Sequence, residues 1–226
     1  MAKFQSHGEI SLAHFGVLFL DELTEFKKTT LEVLRGPLED KKITISRLNS
    51  SITYPCNFMF IASMNPCPCG YFGSHEKTCS CNESQIKKYI NKISGPLLDR
   101  IDIHIEVEGV KYKRLDSSSF QESSSEIRKR VNNARLIQLE RFKNFDIYSN
   151  SDLTPNLINK FCTLSLECKK ILENAFEKLG LSARAYSKIL KVARTIADLD
   201  SSQDIKTHHL TEAIQYRSLD RKYWKR

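Results

Sequence analysis

The apolar positions in the first hundred residues come in short, unbroken runs. Val17-Leu18-Phe19-Leu20 and Phe58-Met59-Phe60-Ile61-Ala62 have the length and continuity of strands buried on both faces of a parallel sheet. Between them, Leu31, Val33, Leu34 and Leu38 sit on one helix, and Gly36-Pro37 predicts a break within it. Residues 43–47 and 51–54 alternate around Asn49-Ser50, the pattern of a hairpin. A further alternation of Ile101, Ile103, Ile105 and Val107 predicts a third core strand.

After Gly109 the pattern changes. Residues 116–126 contain six serines and read as a flexible linker. A long helix follows from near Glu126, with Ile127, Val131 and Ala134 on one face and Arg128, Lys129, Arg135 and Arg141 elsewhere. From Leu153 the spacing predicts a helical bundle. Thr154-Pro155 reads as an N-cap with proline at the first helical position. Ile171, Leu172, Ala175, Phe176 and Leu179 form an apolar face that stops at Gly180. Ser182 caps the next helix, carrying Tyr186, Ile189, Leu190, Ala193 and Ala197, and Thr207 caps the last, carrying Leu210, Ala213 and Ile214. The expected order is an α/β region over residues 1–115, a linker and long basic helix over 116–150, and an all-α domain over 151–226.

Composition narrows the class. With 226 residues, 40% hydrophobic and 27% charged, the chain suits a soluble globular protein rather than a disordered one. No stretch approaches the roughly 20 apolar residues of a membrane span, and the start MAKFQSHGEI lacks a secretory pattern. A cytoplasmic location without membrane contact is expected, and the seven cysteines then read as reduced thiols or metal ligands. Charge is uneven: residues 1–110 carry 12 Lys and Arg against 13 Asp and Glu, while residues 111–226 carry 23 against 14. A basic second half suits either a polyanion such as DNA or a solvated helical surface.

Gly16-Val-Leu-Phe-Leu-Asp21-Glu22 is the first candidate for chemistry. Phosphoryl transfer uses one carboxylate for magnesium and another to polarise the attacking water. An apolar strand ending in two acids delivers both to the carboxyl edge of a sheet, where open α/β folds bind ligands. A buried strand running into an acidic helix start gives the same pattern.

Four blocks occur in order: GEISLAHFGVLFLDEL, SMNPCPCGYFG, SGPLLDRIDIHIEV and GLSARAYSKILKVARTIADL. Together, from about residue 8 to residue 223, they resemble the magnesium-chelatase-like AAA+ family, specifically its ComM/YifB-type members. The resemblance implies a partial P-loop-type core, a three-layer α/β fold with a mostly parallel sheet, followed by an all-α lid. It implies Asp21 on Mg²⁺ and Glu22 as the base of a Walker B pair. It further implies Asn65 as sensor 1, Arg100 as a finger offered to ATP on a neighbouring subunit, and Arg184 as sensor 2 in the lid. Guanidinium forks pair well with phosphate oxygens. In the full-length family, the implied function is ATP hydrolysis in a homo-oligomeric ring, expected to be hexameric, that remodels DNA by branch migration in competence. Metal insertion, as in magnesium chelatase itself, and a catalytically silent fragment binding zinc or nucleic acid are the alternatives.

The sequence departs from that pattern in one respect. It contains no G-x-x-x-x-G-K-[ST], and its eight glycines are scattered. In the resembling family that loop precedes the acidic pair by many tens of residues, whereas only twenty precede Asp21 here. The expectation is a chain that begins mid-domain, leaves an apolar sheet edge uncovered, and does not turn over ATP alone.

Two further groups stand out. Cys67-x-Cys69 and Cys79-x-Cys81, with nine residues between the pairs, fit either a tetrahedral Zn²⁺ site or plain reduced thiols, with His75 as an alternative ligand. The hairpin with Lys41, Lys42 and Arg47 is a candidate contact for nucleic-acid phosphate or a solvated tip. The basic end from Arg217 to Arg226 reads as either a nucleic-acid contact or a frayed terminus. Cys56, Cys162 and Cys168 are expected in the core.

Overall fold

The computed structural model describes residues 7–47, 50–74, 77–107, 109 and 122–217. The chain divides into two compact units, Met1–Ile101 and Asp102–Arg226. The division falls before residue 115, and most of the serine-rich segment lies outside the described residues.

The first unit runs α1 (Glu9–Leu12), β1 (Val17–Leu20), a 3-10 turn (Leu23–Glu25), α2 (Lys28–Val33), α3 (Arg35–Asp40), β2 (Lys42–Arg47), β3 (Ser50–Pro55), β4 (Met59–Ala62), α4 (Glu83–Ile90) and α5 (Gly95–Leu98). The two apolar runs pair in parallel, with Val17 opposite Met59 and Leu20 opposite Ala62. Their alternate side chains separate sharply. Val17, Phe19, Met59 and Ile61 share one face and are each 44% exposed or more, while the other face is half-buried. Cover on both faces, as the unbroken apolar runs predict, is met on one face only. Among the described residues no element covers the other.

The break in the early helix comes at Leu34, which ends α2 and begins α3. Gly36 and Pro37 therefore lie in the first turn of α3, where a missing N–H costs nothing because those donors have no intrahelical partner. The hairpin forms in the register expected, Ile45 opposite Ile52 and Arg47 opposite Ser50. Thr44 pairs with Thr53 at 2.8 Å between hydroxyls on the polar face, and Ser46 with Ser51 at 3.2 Å. Leu31, Cys56, Ile93 and Leu97 are fully buried in this unit.

The third strand over Ile101–Val107 does not form. The segment makes no ladder, and Ile103, Ile105 and Val107 are 44%, 67% and 86% exposed. Alternation supplies an apolar face, but a strand also needs a partner for its backbone groups. Among the described residues, the His104 N–H bonds the Tyr216 carbonyl at 2.9 Å.

The second unit is helical: α6 (Ser124–Phe142), a 3-10 turn (Asn150–Asp152), α7 (Pro155–Phe161), α8 (Leu166–Leu179), α9 (Ala183–Leu199) and α10 (Thr207–Gln215). Ser123 caps α6, and the Glu126 carboxylate returns a bond to the Ser123 N–H at 2.8 Å, so the helix starts two residues earlier than expected. The face that α6 buries is Ala134, Gln138 and Phe142, while Ile127 and Val131 are 42% and 44% exposed. Pro155 opens α7, although the Thr154 side chain makes no capping bond. Gly180 ends α8 at φ +62°, a conformation that disfavours residues with a Cβ. Ser182 caps α9, its hydroxyl accepting the Ala185 N–H at 3.2 Å. Thr207 is the first residue of α10 rather than its cap. There the Nδ1 of buried His209 accepts the Lys206 N–H at 3.1 Å.

Ile189, Leu190, Ala193, Ala197 and Leu210 centre the core of this unit, which also encloses Cys162 and Cys168. A charged knot lies inside it. Asp198, fully buried, accepts from Arg141 at 2.8 Å, from Asn150 at 2.8 Å and from Arg194 at 3.2 Å. Arg194 also donates to the carbonyls of Gln203 and Ser202, each at 2.6 Å. Arg217, read from the sequence as part of a basic tail, is buried at 1% exposure, and the residues after it lie outside those described.

Candidate functional site at the carboxyl ends of the parallel strands

Parallel pairing decides which residues meet. Because Leu20 lies opposite Ala62, both strands end at the same edge and the next residues, Asp21 and Ser63, are brought together. The Ser63 N–H bonds the Leu20 carbonyl at 3.0 Å, and the Leu23 N–H bonds the Ser63 carbonyl at 2.8 Å, which prolongs the alignment past the strands. The Ser63 hydroxyl donates to Asp21 Oδ1. The Glu22 N–H points at the same oxygen at 3.0 Å and at the Ser63 hydroxyl at 3.4 Å. Asp21 Oδ2 has no partner among the described residues, and Asp21 is exposed.

Glu22 adopts φ +49° and ψ +51°, the left-handed region, and begins the 3-10 turn. Non-glycine residues rarely sit there, and such conformations concentrate at functional sites. The turn swings the chain off the strand axis, and the Glu22 carboxylate stays exposed with no partner among the described residues. One acid is thus held and the other is left open. Asn65 is also exposed and lies two residues beyond Ser63 at this edge. Ser63 is the residue that sequence reading missed. Its signal is its place directly after the second apolar run, level with the first acid.

The other expected site residues lie on other elements. Arg100, only 12% exposed in its side chain, is paired with Glu39 and donates to the carbonyls of Arg35 at 2.9 Å and Pro96 at 2.7 Å. Arg184 is exposed in the first turn of α9, in the helical unit. Lys41 and Lys42 stand exposed at the foot of the hairpin, Lys42 opposite Pro55, while Arg47 lies near its turn. Lys42 and Arg47 begin and end β2, five residue steps or about 17 Å apart along the backbone.

The cysteines do come together. The Sγ atoms of Cys67, Cys69, Cys79 and Cys81 all lie within 4.8 Å of one another. The Tyr71 backbone N–H, followed by those of Ser80 and the neighbouring thiols, lowers the Cys69 thiol to about 5. Although the Cys81 N–H favours its thiolate, burial and the contacts with Cys69 and Cys67 push Cys79 up to about 12. His75 lies outside the described residues. No helix of the described residues is long and apolar enough to cross a membrane.

Residues 2–115 match the family described as magnesium chelatase, subunit ChlI, and residues 121–217 match its C-terminal domain family. The chain is 46% identical over 95% of its length to competence protein ComM of Haemophilus influenzae, and 44% identical to the protein YifB of Escherichia coli over the same share. A Mycobacterium bovis protein is 32% identical over 93% of the chain. The chain spans 41% of the length of each of these relatives. With both halves of the ChlI pattern matched in order along nearly its whole length, the chain belongs to the magnesium-chelatase-like family, closely similar to ComM and YifB.

Proposed function

We propose that this chain supplies the magnesium-holding and water-activating part of an AAA+ nucleotide site, and that the complete motor is an ATP-driven ring that remodels DNA. The observation that carries the reading is the joint edge of β1 and β4, where Ser63 and the Glu22 N–H fix one oxygen of Asp21 and leave the other open. That open oxygen suits the shell of a hard cation, which favours carboxylate ligands. Glu22, turned aside by its left-handed backbone, is the general base for the attacking water. Bound magnesium would supply charge neutralisation between the phosphates.

The family is in general ATP- and magnesium-dependent and oligomeric. The missing phosphate cradle belongs to a further segment, and the open face of Val17, Phe19, Met59 and Ile61 is where the rest of a three-layer core packs. In the assembled ring, expected to be a hexamer, Asn65 orients water, Arg184 reaches the phosphates from the lid, and Arg100 serves a neighbour's nucleotide. The similarity to a competence protein favours branched DNA as the substrate over a metal-insertion partner.

The test joins this chain to the remaining N-terminal part of the Haemophilus ComM relative and measures ATP hydrolysis with and without branched DNA. Magnesium-dependent turnover that rises with DNA and disappears in Glu22→Gln is expected. Turnover indifferent to DNA would overturn the DNA assignment, and no turnover in a folded, ring-forming fusion would overturn the ATPase assignment.

A further inference from the structure

The four clustered cysteines have no part in the nucleotide reading and stand independently of it. We propose that Cys67, Cys69, Cys79 and Cys81 bind a single zinc ion as four thiolates, and that the ion clasps the segment leaving β4 to the start of α4.

The sulfur geometry is that of one small ion. Cys67 and Cys69 are 3.4 Å apart, Cys69 and Cys79 3.5 Å, and Cys67 and Cys79 3.7 Å. A tetrahedron with zinc–sulfur bonds of about 2.3 Å has edges of about 3.8 Å. A disulfide needs about 2.05 Å, and all four cysteines are free. Clusters of several irons spread their thiolates more widely than one ion does.

The backbone is shaped for the same purpose. Gly70, at φ +81°, closes a turn in which its N–H bonds the Cys67 carbonyl at 3.0 Å. That reversal aims the Phe72 N–H at Cys67 Sγ, 3.3 Å away. Cys67 is fully buried and the other three are partly so. Four thiols giving up their protons to one Zn²⁺ leave a net charge of −2, and Lys77, within the loop, adds a cation beside Tyr71.

The metal also explains how this stretch holds a shape. Between β4 and α4 the described residues carry no helix or strand. Loops of such length without their own structure are uncommon in compact domains. Cys67 follows Asn65 by two residues, and Cys81 directly precedes Asn82, the cap of α4. A zinc clasp replaces the hydrophobic core that a fifteen-residue span (67–81) cannot build.

The 226-residue chain, purified without chelator or a metal-affinity step, is assayed for metals by mass spectrometry and then exchanged into Co²⁺. About one zinc per chain is expected, with the absorption of tetrahedral cobalt–thiolate after exchange. The double variant Cys79→Ser/Cys81→Ser loses the ion, while Cys81→His, which keeps a ligand atom, retains zinc and guards against a folding artefact. Zinc below roughly a tenth of an equivalent with an octahedral cobalt spectrum, or iron with acid-labile sulfide, overturns the proposal.

Discussion

The hydroxyl of Ser63 donates to the carboxylate of Asp21 across 42 positions of sequence, at the point where two parallel strands stop together. The bond is a product of register. A one-residue slip between β1 and β4 would place Ser63 on the opposite side of the pleat. Ser63 is therefore a positioning residue for the acid.

In the fused, phosphate-loop-bearing protein, Ser63→Ala should weaken magnesium binding about tenfold, the usual scale for losing a group that orients a metal ligand. Hydrolysis rate titrated against Mg²⁺ gives the value, and Ser63→Thr should restore it. An unchanged magnesium dependence would reduce Ser63 to a strand-end contact.

Glu22 is expected to trade stability for chemistry. Its left-handed backbone costs about 1 kcal/mol, which glycine does not incur. Glu22→Gly should therefore leave the chain as stable or slightly more stable in urea unfolding, partly offset by glycine's greater unfolded entropy, while removing turnover in the fused protein. Glu22→Gln should remove turnover with little change in stability.

Asp198 holds Arg141, Arg194 and Asn150 in the helical unit. Removing one member of a buried charged set typically costs about 3–5 kcal/mol, because the partners remain desolvated. Asp198→Ala should destabilise the chain on that scale and Asp198→Asn by less, both read from denaturant midpoints. A loss below about 1 kcal/mol would show the knot to be well hydrated.

The open apolar face makes the isolated chain prone to self-association. Phe19→Lys should lower its concentration-dependent light scattering and its binding of a hydrophobic dye. In the fused protein the same change should disrupt folding. If Phe19→Lys is equally tolerated in both settings, the face is not an internal surface of the larger domain.

The strands β1 and β4, the hairpin and the helical unit were legible because each depends on local periodicity and on caps such as Ser182 and Gly180. The same reasoning failed at Ile101–Val107, since alternation describes one face and says nothing about a hydrogen-bonding partner. The buried charged knot was missed for a similar reason. Arg141 stands seven residues after Ala134 and so shares the face that α6 buries, but only the packing of α6 against α9 shows that it meets Asp198. At the site, Asp21 and Glu22 could be read from the strand that ends in them. Ser63 could be placed at the end of the second apolar run, but not opposite Asp21, because that pairing joins distant segments. The four cysteines were legible as a set, but their mutual distances required the fold.

Arg100 ends its chain of contacts already satisfied, bonded to Glu39 and to two carbonyls of its own unit. To serve another subunit's phosphate it must exchange one anion for another rather than gain a new one. Glu39 thereby becomes a competitor built into the same polypeptide. Neighbour recognition would then be governed by how readily that side chain lets go, a threshold that a single carboxylate can set.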